Sequence, residues 1–294
     1  MRNLKLFSAA LAMLLSSAAL SAQSDPVKET VIIDLFTGTG HVKDYIRDGV
    51  RAGVIQGFTE KGRFNLVDAA TNAEIVSLNA NRNTEVAVTA ENVLNADAVN
   101  VYKALGAKYL LKGQVTSITT VDTKNIITGN PEKKTTIAFS MTVYNIADGS
   151  TVGSEICEAM GFAKNTHEAE DSACKDAKDE AQKFADKYFK FTTFIEQLGE
   201  VHKKKGLIDV YIVGGIEMGV AKNQLFKVYV KKQIGSRWTQ QEIGKLKAVE
   251  PMDGLSRCVV QKGNIEIAEI FNTTGKEALV VVSDSEGGLP GFFK

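Results

Sequence analysis

The sequence predicts an α+β fold, a mixed sheet with helices in the order βαβαβββα, followed by a small all-β, barrel-like unit. Three observations predict it. Between residues 25 and 188 the apolar residues switch between runs of period two and stripes spaced by about four, which are strand and helix signatures on one chain. Three alternating runs, 108–119, 135–146 and 151–162, follow one another with a helical pattern only after the third. From Phe189 onward, short β-like runs are separated by Gly, Asn, Lys and Asp, the spacing of a small barrel or sandwich.

The elements follow in order. Residues 1–22 have the layout of a secretory signal peptide: Arg2 and Lys5, then an apolar run to Leu15, then small residues to Ala22. Serines break the run, so a retained membrane helix is not expected, and the mature chain carries no transmembrane segment. Residues 30–36 read as a strand apolar on both faces, as at the centre of a covered sheet. Val42, Ile46, Val50, Val54 and Phe58 step by four along a helix, with Gly49, Gly53 and Gly57 beside that stripe. Each glycine weakens a helix by up to about 1 kcal/mol against alanine, so close packing has to compensate.

Residues 63–68 form a short strand, the polar stretch 79–85 a loop, and residues 89–105 a helix ending at Gly106. In the second long strand Ile137, Phe139, Met141 and Val143 share a face. In the third, Val152, Ile156, Met160 and Phe162 do, and one face of the sheet is covered. Asp148-Gly149 joins these two strands in a tight hairpin, whereas the preceding connection is a longer loop over 121–134. Asn165 caps the next helix, whose Ala169, Ala173, Ala177, Ala181 and Ala185 make a stripe of small residues. The expected organisation is a signal peptide at 1–22, an α+β unit at 25–188 and a small β-barrel-like unit at 189–294 with a loose glycine-rich tail.

Composition narrows the function. Lys plus Arg equals Asp plus Glu at 35 each, and a nucleic-acid-binding chain usually carries a basic excess. Cys157, Cys174 and Cys258 have no metal-ligand spacing; Cys157 and Cys174 either pair or remain buried thiols. After the first strand, Gly38 to His41 reads GTGH, but Lys43 stands where a dinucleotide fingerprint needs its third glycine, so the stretch is a tight strand-to-helix turn. His41, His167 and His202 fall in separate elements, without a second ligand at metal spacing. Glu168, Glu170 and Asp171 lie in the first turns of a helix, where negative charge favours the dipole. Lys203, Lys204 and Lys205, with Lys231, Lys232, Tyr229 and Trp238, form a possible basic and aromatic patch that reads instead as solvated turns. The expectation is therefore no enzyme, no catalytic, cofactor-binding or metal-binding residue, no cofactor and no nucleic-acid partner.

Two stretches carry a family resemblance. The run from Gly106 to Val115, GAKYLLKGQV, with the opening strand and the order of elements over 30–188, resembles the curli-secretion (CsgG-like) family and the related TolB N-terminal and LpoB domains. Residues 209–229, with DVYIVGG, MGV and LFKVY, resemble the C-terminal module of flagellar assembly protein T, with Asn223 where a second glycine is expected. Asn tolerates a left-handed turn position. The resemblance implies an exported envelope accessory or assembly protein, periplasmic or outer-membrane-associated, acting by protein–protein contact with other envelope proteins or with itself. The alternative it implies is an oligomeric ring component of an envelope secretion or curli-like export system.

Overall fold

The computed structural model describes residues 27–82 and 96–284. The signal-peptide stretch, the start of the helix expected from residue 89 and the glycine-rich tail lie outside the described residues.

The first sheet has the strand order β3-β1-β4-β5-β6, where β1 is Glu29–Ile33, β3 Phe64–Asp68, β4 Tyr109–Lys124, β5 Pro131–Asn145 and β6 Thr151–Ala163. A two-residue strand, β2 (Thr37–Gly38), also lies beside β4. β1 runs parallel to both neighbours, and β4, β5 and β6 are antiparallel. Because β1 is central and covered on both sides, its consecutive apolar residues are all buried. Val31 and Ile33 enter the larger core with α1 (Asp44–Glu60) and α4 (Thr166–Tyr188). Ile32 enters a smaller one with Ile75 of α2 (Ala73–Arg82) and Ala98 and Tyr102 of α3 (Ala96–Ala104).

The α1 and α4 helices meet through small residues. A Cβ on Gly53 would lie 2.5 Å from the Cys174 carbonyl oxygen, and one on Gly57 2.5 Å from that of Lys178. The same helix approaches the sheet as closely, since a Cβ on Gly161 of β6 would stand 2.2 Å from the Ala169 carbonyl oxygen and the Ala173 nitrogen. Asn165 caps α4 as its position predicts, its Oδ1 accepting from the Glu168 N–H at 2.9 Å. A buried cation ties α1 to the sheet: Arg51 donates to the carbonyls of Asp34 (2.8 Å) and Ile33 (3.2 Å) and pairs with Asp68.

Three features of this region differ from the expectation. The stretch expected to be a loop from residue 79 is helical as far as Arg82, because Asn72 caps α2 through the N–H groups of Glu74 and Ile75 and Ile75 anchors it in a core. The connection expected over 121–134 is mostly strand. Pairing continues to Lys124 opposite Pro131, and a compact turn over 125–130 closes the hairpin. The third difference is the covered face of β6. Its buried residues are Gly153, Cys157, Ala159 and Gly161, whereas Ile156, Met160 and Phe162 face outward.

The second sheet is antiparallel, with the order β7-β15-β12-β13-β14-β11-β8. These strands are β7 (Thr192–Thr193), β8 (Ile195–Leu198), β11 (Asp209–Val213), β12 (Leu225–Ile234), β13 (Arg237–Pro251), β14 (Leu255–Lys262) and β15 (Leu279–Asp284). Its two end strands are consecutive in the chain, separated only by Phe194, so the sheet nearly closes into a barrel. A short hairpin of β9 (Val201–His202) and β10 (Gly206–Leu207) lies off this sheet. Inside the barrel Ile212, Phe226, Val228, Leu246, Cys258 and Val281 form one core. The unit is not all-β: α5 (Asn264–Thr273) packs Ile267, Ile270 and Phe271, at helical spacing, against that core. Asn223 adopts φ 72°, alone among non-glycine residues in the described part, and its N–H donates to the Ala248 carbonyl at 2.8 Å.

The glycine seam gives a direct test. Gly53→Ala is expected to lower stability by about 1–2 kcal/mol in urea unfolding, because overpacking against backbone outweighs the gain in helix propensity. Gly40→Ala, where a Cβ would meet nothing within 4 Å, is expected to be neutral or slightly stabilising.

Candidate functional site

The feature that stands out is the outer face of β4, β5 and β6, which beyond Leu110 and the smaller core no described element covers. Antiparallel register sets Lys134 opposite Phe162, Thr136 opposite Met160, Ala138 opposite Glu158 and Ser140 opposite Ile156. Side chains alternate across a strand, so Ile156, Glu158, Met160 and Phe162 all point away from the helix layer. Ile156 is 79 % exposed, Met160 43 % and Phe162 50 %. Lys134 lies over the Phe162 ring at 5.8 Å. Toward β4 the face becomes polar, with Gln114 opposite Ser140 and Lys112 opposite Thr142. Lys112 is held by Asp34 at 3.2 Å, and the hydroxyls of Thr142 and Ser154 join at 2.8 Å.

Why β6 turns its larger side chains outward follows from α4. The alanine stripe offers a shallow surface, and only small side chains on the strand let the helix come so near. Gly153 would carry a Cβ into the Tyr188 ring at 2.3 Å. The same closeness protects the edge of β6. Asp176 accepts from the Met160 N–H at 2.9 Å, and the Tyr188 hydroxyl donates to the Ser154 carbonyl at 3.4 Å. A carboxylate capping an outward N–H blocks strand addition, so the available surface is the face rather than the edge. The sequence alone marks no interface residue on this face. The pointer was the pairing of small positions 153, 157, 159 and 161 with the alanine stripe.

The residues weighed from sequence are dispersed. His41 is exposed in the turn before α1. The His167 ring lies tilted against that of Tyr45 with centroids 5.7 Å apart, and His202 Nδ1 accepts from the Lys204 N–H at 3.1 Å. Gly38 pairs with Val115 as part of β2. Of the three acidic residues, Asp171 pairs with Lys175 at 2.7 Å. Glu170, by contrast, is buried and accepts from the Tyr45 hydroxyl, with Lys43 3.9 Å away, so it joins the starts of α1 and α4. That bond raises the Tyr45 pKa above its ordinary value. Lys203, Lys204 and Lys205 lie in the β9–β10 turn, while Lys231, Lys232 and Trp238 belong to the β12–β13 hairpin. Among the described residues no group of three His, Cys, Asp or Glu side chains is placed to hold a metal.

The cysteines are free and buried. Burial pushes the thiols of Cys157 and Cys258 up to about 12 and that of Cys174 up to about 11. No described helix is long and apolar enough to cross a membrane.

No family model matches the chain, and no curated protein matches it. Several solved structures do. The PelC dodecamer from Paraburkholderia phytofirmans is 11 % identical, with 55 % of this chain and 88 % of that chain covered and a TM-score of 0.34. The lipoprotein GNA1162 from Neisseria meningitidis is 14 % identical, with 47 % and 86 % covered and a TM-score of 0.32. The LpoB C-terminal domain from Escherichia coli is 14 % identical, with 47 % and 87 % covered and a TM-score of 0.29.

The buried thiols make stability pH-dependent. Their native pKa values lie above the ordinary 9.0, so their contribution is complete below about pH 9 and is lost as the pH rises toward 11–12. Urea unfolding at about pH 10 is expected to show a loss relative to pH 8, of which Cys258→Ala removes roughly 1 kcal/mol.

Proposed function

We propose that the protein is an exported, non-enzymatic accessory protein of the cell envelope that acts by protein–protein contact through the open face of β4–β6. The observation that carries this reading is the row of Ile156, Met160 and Phe162 on a face that no element of the chain covers among the described residues. Grouped large apolar side chains on a protein surface mark interaction sites, whereas single ones are ordinary. The polar border of Gln114, Ser140, Thr142 and Glu158 suits an association that forms between already folded proteins. Export rests on the arrangement of residues 1–22. The absence of an enzymatic role is supported by the scatter of the three histidines and by the engagement of Glu170 with Tyr45 and Lys43.

The partner is another envelope protein or a second copy, and mass in solution separates the two. Light scattering after size exclusion, on the chain beginning at residue 23, is expected to give a monomer or dimer without detergent. A ring-sized particle, or association only in detergent, would replace this reading with the ring-component one. Ile156→Thr with Met160→Thr is expected to leave stability within about 0.5 kcal/mol while reducing partner capture from envelope extract by about tenfold or more. Unchanged capture would remove the open face from the interaction.

A further inference from the structure

The strands β12 and β13 continue well past the barrel. Their inner halves alternate buried and partly buried residues, but every residue from Lys231 to Glu242 is exposed. Pairing nevertheless persists to Ile234 opposite Arg237, so the projection is an ordered ribbon turned at Gly235, which has φ 61°. Its tip carries two large apolar side chains, Ile234 at 68 % exposure and Trp238 at 69 %. Cross-strand register puts Trp238 opposite Gln233, one step from Ile234, so the two lie within one residue of each other along the ribbon and on opposite faces of it.

Charge is unbalanced as well. Lys231, Lys232 and Arg237 lie on this projection against one carboxylate, Glu242, at its base. None of the three cations pairs with a carboxylate among the described residues; Lys232 donates to Gln241 at 2.5 Å. Lys231 and Lys232 stand two or three residues behind the tip, roughly 7–10 Å along the strand. Arg237 is at the tip, where its long side chain can reach back toward polar surroundings.

An apolar tip with a tryptophan, followed by a collar of cations, matches the layers of a bilayer surface. Indole rings favour the headgroup level, aliphatic side chains enter the acyl boundary just beneath it, and lysines a few ångströms behind meet anionic headgroups. We propose that the β12–β13 hairpin docks the protein on a lipid surface carrying anionic headgroups, as a reversible peripheral contact. The contact does not rest on the open face of β4–β6, so either can fail without the other. The second apolar tip, the 125–130 turn with its exposed Ile126 and Ile127, makes an internal control. Behind it Lys124, Lys133 and Lys134 stand with Asp122 and Glu132, and Lys133 is paired with Asp122 at 2.6 Å, so its net positive charge is smaller.

The test is co-sedimentation of the protein beginning at residue 23, which keeps every described residue, with vesicles. One set is phosphatidylglycerol mixed with phosphatidylcholine, the other phosphatidylcholine alone. Binding is expected on the anionic vesicles, weakened by salt and much reduced on the neutral ones. Ile234→Ser with Trp238→Ala is expected to lower partitioning by about tenfold or more, and Lys231→Gln with Lys232→Gln by a similar factor. Ile126→Ser with Ile127→Ser is expected to bind like the parent protein. Circular dichroism on each variant establishes that it is folded. The proposal is overturned if the parent protein ignores both vesicle types, if the hairpin variants bind unchanged, or if the Ile126 and Ile127 substitutions cause the larger loss. Selective capture of a single-stranded oligonucleotide, with no vesicle binding, would overturn it in favour of nucleic acid.

Discussion

The packing of α4 against α1 on one side and β6 on the other sets the rest of the first unit. Backbone atoms of α4 lie so near Gly53, Gly57 and Gly161 that no Cβ fits at these positions. Such contact distances between helices and sheet require small residues on all three elements. Ala173, Ala177, Ala181 and Ala185 are accordingly fully buried in the same core as Val50, Val54 and Phe139. The helix contributes few large side chains to that core. Its bulk comes instead from α1, β4 and β5, and from Phe184 and Phe189 at the far end of α4. The result is a thin, close layer whose stability depends on contact distance more than on side-chain volume.

This seam has a consequence for the opposite face of the sheet. Strand residues alternate, so committing the small positions of β6 to α4 sends Ile156, Met160 and Phe162 outward. It also brings Asp176 and Tyr188 over the strand edge. The sheet is therefore guarded along the β6 edge and, among the described residues, left open on its outer face away from α2 and α3. The barrel reaches a similar outcome differently. Its end strands come together around Phe194, leaving projecting hairpins rather than an open sheet as its accessible features. At the junction a Cβ on Gly219 would overlap the Lys61 carbonyl, and one on Gly62 would stand 3.1 Å from the Glu217 carbonyl oxygen, so the two units meet there through backbone, while Lys61 and Arg63 share Asp186 within the first unit.

Much of this was readable from sequence. β1 needed to be apolar on both faces, and Val31, Ile32 and Ile33 enter two different cores. The glycines beside the α1 stripe implied close packing, Asn165 was placed as a cap, and Asn223 tolerates the left-handed turn in which it sits. Three things were not readable in the same way. Hydrophobicity favoured Val152, Ile156, Met160 and Phe162 as a shared apolar face, and nothing local to β6 says that an alanine stripe selects the other one. Polar residues 121–134 read as a loop because a ribbon exposed on both faces has no apolar alternation to reveal it. α5 was hidden within a region read as strands, although Ile267, Ile270 and Phe271 have helical spacing. The open face was not legible as a site because a surface is defined by what fails to cover it.

The orientation of β6 can be measured directly by thiol labelling of the native protein with a maleimide, with and without denaturant. Cys157 and Cys174 point into the helix layer and Met160 points away, so the native parent protein should remain unmodified until it is unfolded. Met160→Cys should then add a single site that reacts in the native state. Rapid native labelling of Cys157, or protection of a cysteine at position 160 in the isolated monomer, would contradict the packing of β6 described here and the open face derived from it.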